Sequence, residues 1–450
     1  MNIRFNNWKK KLESLEKNID NIKTIMRYGY VFRLVGISIH VVGLSIPINS
    51  ICMIECGSSE KFFYVEAIVI GFSGKYVFLT LFQLQYDDIF PGARVFPKNY
   101  KKYYFHKWPI GRSLLGRILD GRGYPIDHKP LLNVSFINTL SNRIIHPLNR
   151  SPVNKIFDTG IRSINALLTL GQGQKVGLFS QSGLGKSVLI GMMSKHSEAD
   201  VTVIGLIGER NREVQEFIQN SLGKKGLNRS VLIIVPSNSS PILKIQGAMY
   251  AMRIAEYFRD ENQNVLLIID SLTRYAMSER EISLSMGEIP LRQGYPSSIF
   301  SKLPHFIERS GNNDNNCGSI TALYTVLIEN EDNDVILEIS KSILDGHIIL
   351  SKFYADSGHY PAIDISESLS RVMVNIVQKN HYEKSKYLKK LVSEYHKCQD
   401  LINVGAYING SNVILDESIK KWELIKNFLK QDISDYISYH KSVDDLNKII

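Results

Sequence analysis

Residues 180 to 187 read Ser-Gln-Ser-Gly-Leu-Gly-Lys-Ser, between an apolar run and a helical run. Val176, Leu178 and Phe179 predict a buried strand before them. Lys186 and Ser187 open a helix that continues through Val188, Leu189, Ile190, Gly191, Met192 and Met193. Gly183 and Gly185 let the backbone curl, so that successive N–H groups turn inward toward phosphate oxygens. The helix start adds partial positive charge. Ser180, Gln181, Ser182, Gly183, Leu184 and Gly185 then wall a phosphate cradle. Lys186 is placed to reach the β- and γ-phosphates, and the Ser187 hydroxyl to ligate Mg2+. Ser180 stands where Gly or Ala is usual, and its small size is compatible with the cradle. A chance Gly-Lys-Ser turn would not bring the strand and the helix with it.

The rest of the chain supplies a parallel sheet around that loop. Apolar runs at 201–207, 231–235, 265–269, 320–328 and 347–350 alternate with helical segments, the pattern of a sheet covered on both faces. Ser240 followed by Pro241 reads as a helix start, where the missing proline N–H costs nothing. Before this core, short period-two runs at 30–35, 38–42, 62–70 and 76–82, punctuated by glycines, predict a small closed barrel over 27–98. The barrel strands read as apolar-alternating, without an exposed aromatic and basic cluster. Residues 99–109 read as a linker, and the phosphate-binding core is expected over 99–377. After Val377 helical spacing takes over, through Leu388, Leu391, Val392 and Tyr395 and then Ile419, Trp422, Ile425 and Leu429. That gives a helical domain over 378–450. At the other end, Phe5, Trp8, Leu12, Leu15, Ile19, Ile22 and Met26 form the apolar stripe of one amphipathic helix over 1–26.

Composition narrows the class. The 450 residues are 44% hydrophobic and 22% charged, which is ordinary for a soluble chain of about three domains. The net charge of +10 comes from lysines spread along the chain, so it carries little weight for nucleic-acid binding. Four cysteines show no zinc-type spacing, and Cys52 and Cys56 are expected as buried thiols on a strand. Eleven scattered histidines offer no metal cluster. No apolar run approaches ~20 residues, the length of a spanning helix. No signal peptide is evident at the start.

In a parallel sheet ligands gather at the C-terminal strand ends. Beyond the cradle, two such ends carry chemistry. Asp270 leaves the apolar run 265–269, a costly place for a lone carboxylate unless a metal ion or its waters satisfy it. A helix N-cap role for Asp270 is compatible with this. Gly208-Glu209-Arg210-Asn211-Arg212-Glu213 follows another strand, and Glu209 is placed to orient and deprotonate an attacking water. Arg210 and Arg212 are placed to steady phosphate or a neighbouring subunit. Tyr360 offers a flat surface for adenine. Arg371 lies far along the chain from the cradle, as an arginine supplied to a neighbour's phosphate would.

Together these motifs resemble the catalytic-subunit family of rotary ATP synthases, and more closely the ATPases of type III protein export. The resemblance rests on residues 182–187, Gly208-Glu209-Arg210, Leu272-Thr273-Arg274-Tyr275-Ala276 and Gly358-His359-Tyr360-Pro361-Ala362-Ile363-Asp364. The strings at 115–121, 158–168, 187–193, 276–282 and 343–348 favour the flagellar branch. The resemblance implies an α/β fold, a RecA-like P-loop ATPase core with an N-terminal small β-barrel and a C-terminal helical domain. It implies a homohexamer that hydrolyses ATP with Mg2+ at its subunit interfaces. By motif, Lys186 and Ser187 bind phosphate and metal, Glu209 is the catalytic carboxylate, Asp270 supports the metal, Arg371 is the finger and Tyr360 meets adenine. The loop 287–296 would face the pore. The N-terminal helix would dock a stator-like regulatory protein, and the C-terminal helices would meet a stalk protein and chaperones. The export gate and flagellar substrates complete the partners, with no nucleic acid. The expected place is the cytoplasm, peripheral to the inner face of the cytoplasmic membrane at the flagellar basal body. A virulence-type export ATPase shares this chemistry and differs in cargo. A rotary synthase subunit normally ends its loop in Thr and lacks the N-terminal helix. An RNA translocase would need the aromatic and basic barrel face. A non-catalytic scaffold would not retain Lys186, Glu209 and Asp270.

Overall fold

The computed structural model describes residues 8–9, 11–12, 28–58, 61–84, 86–98, 105–130, 135–138, 145–313, 318–328, 334–408 and 410–450. It divides into two compact units, Met1–His106 and Lys107–Ile450. Most of the amphipathic helix expected over 1–26 lies outside the described residues. Within it Trp8, Lys9, Lys11 and Leu12 are helical, with Trp8 and Leu12 exposed.

The first unit is a closed barrel. Its strands are β1 (Gly29–Val35), β2 (Ser38–Val42), β3 (Ile51–Ser58), β4 (Lys61–Ser73), β5 (Tyr76–Leu81) and β6 (Arg94–Pro97), in the order β1-β2-β5-β4-β3-β6. Closure leaves no edge strand to aggregate. Ile39, Val41, Cys52, Ile54, Cys56, Val69, Leu79 and Val95 fill the interior. Burial pushes the Cys52 thiol up to about 12 and Cys56 up to about 11, so both remain protonated. The outer face corrects the sequence reading. Tyr30, Phe32, Tyr64 and Phe72 are exposed, Tyr28 meets Tyr30 edge-on at 5.2 Å, and Arg94 lies 6.0 Å from the Phe96 ring centroid. The inward alternation that builds the core leaves equally large side chains outside. Arg94 is already held by both carboxylate oxygens of Glu55, at 2.7 and 2.9 Å, which absorbs its charge within the barrel.

The second unit is RecA-like. Its sheet follows the path β14-β13-β8-β12-β11-β9-β10-β7. The strands are β7 (Ile118–Leu119), β8 (Lys175–Ser180), β9 (Val201–Ile207), β10 (Ser230–Val235), β11 (Asn264–Asp270), β12 (Ser319–Leu327), β13 (Gly346–Leu350) and β14 (Ile363–Ser370). All neighbours along it are parallel except β14, which returns antiparallel to β13. Parallel strands need crossovers. Helices α1 (Lys186–His196), α2 (Pro241–Asp260) and α3 (Leu272–Ser285) follow β8, β10 and β11.

Side-chain alternation splits the central strands between two cores. On β11, Val265, Leu267 and Ile269 join one core, while Leu266 and Ile268 join the other, together with Leu189 and Ile190 of α1. Asp270 continues the second series, so it leaves the sheet on the face that carries α1.

Two readings change here. Lys107–Ile110, read as the end of a linker, is a strand paired antiparallel with Ser135–Asn138. Its Trp108 is buried, stacks on Tyr250 at 5.2 Å and donates to the Gly121 carbonyl. An indole with a partner for its N–H is worth burying, and basic neighbours mask that in a composition reading. The segment after Pro361, which is not among the expected strands, forms β14. At the C-terminal end, α4 (Lys379–Asn403) and α5 (Val413–Leu429) match the helical spacing, and a third helix, α6 (Tyr439–Ile449), follows. Among the described residues no helix is long and apolar enough to cross a membrane.

Candidate functional site

β8 is wholly buried and delivers the chain to the loop 180–187. Gly183 and Gly185 sit at φ 85° and 86°, the left-handed region that strains any side chain. Gly185 is also the residue before the first turn of α1. Gln181, Ser182, Gly183, Gly185, Lys186 and Ser187 line a cavity of about 490 Å³. Ser180 does not. Its side chain is fully buried and its hydroxyl has no hydrogen-bond partner among the described residues.

Three strand ends meet on Lys186. Its ammonium lies 3.0 Å from Glu209 Oε1 and 2.5 Å from Asp270 Oδ1, and all three side chains are largely buried. Gly208, at φ 78°, turns the chain after β9, and a Cβ there would press on the Arg274 side chain at 3.0 Å. That turn aims Glu209 into the cavity. Thr325, on β12, donates to Asp270 Oδ1 at 2.7 Å. Burial opposes the Lys186 charge, but the carboxylates of Asp270 and Glu209 outweigh it and raise the ammonium above the ordinary lysine range. Burial raises Asp270 and the nearby Glu209 charge adds to the rise, while the Lys186 ammonium and the Thr325 hydroxyl offset them only in part. The helix cap anticipated at Asp270 belongs to Ser271, whose side chain accepts from the Arg274 N–H.

On the other side of the loop is a cavity of about 950 Å³, lined by Gly183, Leu184, Gly185, Val188, Tyr360 and Gln431 among others. Tyr360 is half exposed, and its ring lies 3.5 Å from where a Cβ on Gly185 would stand. The loop therefore separates a polar compartment, with Lys186 and Glu209, from a larger one beside an aromatic ring. That is the division a nucleoside triphosphate requires.

Arg210 lines the smaller cavity but is exposed and pairs with Glu213 at 3.6 Å. Arg371 stands apart. It follows Ser370, which pairs with Gly346, and Gly346 pairs with Val176 near the start of β8. The loop leaves the other end of β8, about 13 Å further along at roughly 3.3 Å per residue. Arg371 is exposed, and its guanidinium donates to the Lys341 carbonyl at 3.2 Å.

Residues 160–370 match the ATP synthase alpha/beta family, nucleotide-binding domain. Residues 377–448 match the T3SS EscN ATPase C-terminal domain. The chain is 52% identical to the flagellum-specific ATP synthase of Buchnera aphidicola subsp. Acyrthosiphon pisum (strain APS), over 100% of this chain and 97% of that one. The chain belongs to the ATP synthase alpha/beta family. Within this family it falls in the flagellum-specific branch, and its reaction is ATP hydrolysis. The flagellum-specific ATP synthase of Salmonella typhimurium (strain LT2) is 45% identical over 100% of this chain and 99% of the relative. In structure the chain is similar to the assembled ATPase EscN of the enteropathogenic E. coli type III secretion system. The TM-score is 0.84 at 37% identity, covering 94% of this chain and 99% of that one. The same ATPase in complex with its central stalk EscO gives 0.82 at 36%, with the same coverage.

Thr325, Arg162 and Gln431 were not singled out from the sequence. Thr325 is a polar residue near the C-terminal end of an apolar strand, the signal already used for Asp270. Arg162, whose guanidinium donates to the carbonyls of Asn427, Phe428 and Lys430, and Gln431, whose side chain donates to that of Gly160, gave none, because only the fold brings these partners close.

Proposed function

We propose that this ATPase works in a homohexameric ring, where it hydrolyses magnesium-bound ATP to unload flagellar export substrates and pass them to the export gate. The observation that carries the site assignment is Lys186 joined to both Glu209 and Asp270 at the mouth of the phosphate loop. Residues 181–187 hold the phosphates, and Tyr360 stacks on adenine. Glu209 accepts the proton of a water whose oxygen bonds to the γ-phosphorus as the bond to the β-phosphate oxygen breaks, leaving ADP and phosphate.

The Ser187 hydroxyl and the Asp270 carboxylate are hard oxygen donors, which suits Mg2+. Among the described residues no group of three or more His, Cys, Asp or Glu could hold a metal by itself, so phosphate oxygens and water would complete the shell. When bound, the ion neutralises charge on the phosphates. Arg371 and Arg210 serve the charge on the transferring phosphate, Arg371 from the neighbouring subunit.

The likeness to an ATPase solved with a central stalk supports a stalk protein in the ring pore. We assign residues 1–26 to a stator-like regulator, 27–98 to the barrel, 99–377 to the ATPase domain and 378–450 to the helical domain. We place the ring in the cytoplasm, peripheral to the membrane at the flagellar base, where it also meets chaperones. Glu209→Gln tests the reaction. It should bind ATP like wild type and lose turnover by at least about a hundredfold, the low end for general-base removal. Undiminished hydrolysis would remove Glu209 from its role.

A further inference from the structure

The turn that carries Arg371 is held by a buried side chain from another part of the sheet. Gln174 stands immediately before β8 and is fully buried. Its Oε1 accepts from the Gly171 N–H at 2.9 Å, which fixes the plane of the carboxamide. The NH2 group has two donors, and both go to the Arg371 turn. One meets the Ser370 hydroxyl oxygen at 3.1 Å and the other the Asp345 carbonyl at 3.3 Å. Ser370 gives its own proton to the Thr169 carbonyl at 2.9 Å, so its oxygen is left to accept. The Asp345 carbonyl also accepts the Arg371 N–H, at 3.0 Å. Gln174 is thus bonded to the residue before Arg371 and shares a carbonyl with the main chain of Arg371 itself. Gly346 leaves the room for this, since a Cβ there would lie 2.5 Å from the Leu369 carbonyl oxygen and 3.2 Å from Gln174 Nε2.

Beyond the turn the Arg371 guanidinium is exposed and donates to the Lys341 carbonyl at 3.2 Å. A long exposed side chain keeps most of its rotamer freedom, so its reach is set by the main chain at its base. We propose that Gln174 is a positioning residue for Arg371: it fixes the direction in which the arginine leaves the sheet, and so its reach into the phosphate site of the neighbouring subunit. The inference rests on the proposed supply of Arg371 to a neighbour's nucleotide. The phosphate loop of the same chain begins at the far end of β8, and pairing with β12 and β13 holds that strand along the way. The effect of Gln174 therefore belongs to the site next door. In an oligomer it follows the arginine, not the loop.

Gln174→Met keeps the length of the side chain and removes its hydrogen bonds to the turn. In the assembled full chain with ATP and magnesium, kcat should fall about tenfold to a hundredfold, the scale of a misplacement of ~1 Å. KM for ATP should stay unchanged, because a contact made only to the transferring phosphate is lost from kcat alone. Subunit mixing then assigns the defect. Mixed with Lys186→Ala, Gln174→Met should regain hydrolysis, because some interfaces join its intact loop to a well-held arginine. Mixed with Arg371→Ala it should regain none, since neither chain supplies one. Rescue by Arg371→Ala would put the defect in the loop of the same chain and overturn the proposal. Rescue by neither partner, or unchanged turnover, would overturn it too. Ser370→Ala deletes the hydroxyl that Gln174 holds, and it should show the same pattern of rescue with a smaller loss. If Gln174→Met does not fold, Ser370→Ala decides alone, and wild-type turnover in it overturns the proposal. Arg371→Ala mixed with Lys186→Ala tests the premise by itself. No recovery there removes the neighbour's arginine from the site, whereas recovery there without rescue of Gln174→Met strikes Gln174 alone.

Discussion

The Lys186 ammonium lies 2.5 Å from the Asp270 carboxylate, and Asp270 is nearly inaccessible to solvent. An isolated buried carboxylate is expensive, so removing the lysine alone is a stability change as well as a catalytic one. Lys186→Ala should cost about 3–5 kcal/mol in urea unfolding, the usual result of stripping one partner from a buried pair. Adding Asp270→Asn to the same chain should recover most of the loss. A Lys186→Ala protein as stable as wild type would mean that the ammonium is not offsetting the carboxylates.

Arg371 and the phosphate loop occupy opposite ends of the same sheet. On the proposed assignment each site takes its loop from one subunit and its arginine from the next. Lys186→Ala and Arg371→Ala should each be inactive alone. Mixed, they should regain part of the hydrolysis, because some interfaces then hold both intact groups. No recovery in rings shown to be mixed would count against supply from a neighbour.

The buried Ser180 hydroxyl has no hydrogen-bond partner among the described residues. An unmet buried polar group costs about 1–3 kcal/mol, so Ser180→Ala should stabilise the chain by an amount of that order. Denaturant midpoints measure it, and a destabilised Ser180→Ala protein would show that the hydroxyl has a partner in solution.

His359, beside Tyr360, is buried, and Lys430, Lys426 and His396 add positive charge around it. Its pKa falls from 6.5 to about 4. Between those values the unfolded chain binds a proton that the folded chain refuses, so stability rises with pH there. The melting temperature should therefore hold above pH 6.5 and drop on acidification toward pH 4. In His359→Gln that drop should be shallower. Parallel curves for the two proteins would exclude His359 as the source.

Local pattern carried much of this molecule. The phosphate loop, Glu209 and Asp270 were legible because each interrupts a run of apolar residues at a strand end, where a glycine or a charge has few structural reasons to stand. The barrel's closure was legible from period and glycine spacing, but its outer aromatics were not. Alternation tells which residues share a face, and nothing in it tells that both faces are bulky. Strand β14 hid because Ser366, Ser368 and Ser370, two of them buried, and Glu367 break up its apolar residues. Trp108 hid inside a basic stretch. The hold of Arg162 on the end of α5 was out of reach altogether, since its partners Asn427, Phe428 and Lys430 lie more than 260 residues along the chain and are met at main-chain carbonyls.

The placement of Arg371 at the far end of β8 also bears on when ATP is consumed. On the proposed assignment a lone subunit, however well folded, carries two half-sites that cannot meet. Its turnover per molecule should climb with protein concentration and vanish on dilution, making assembly itself the on-switch and leaving free subunits silent toward the cell's ATP.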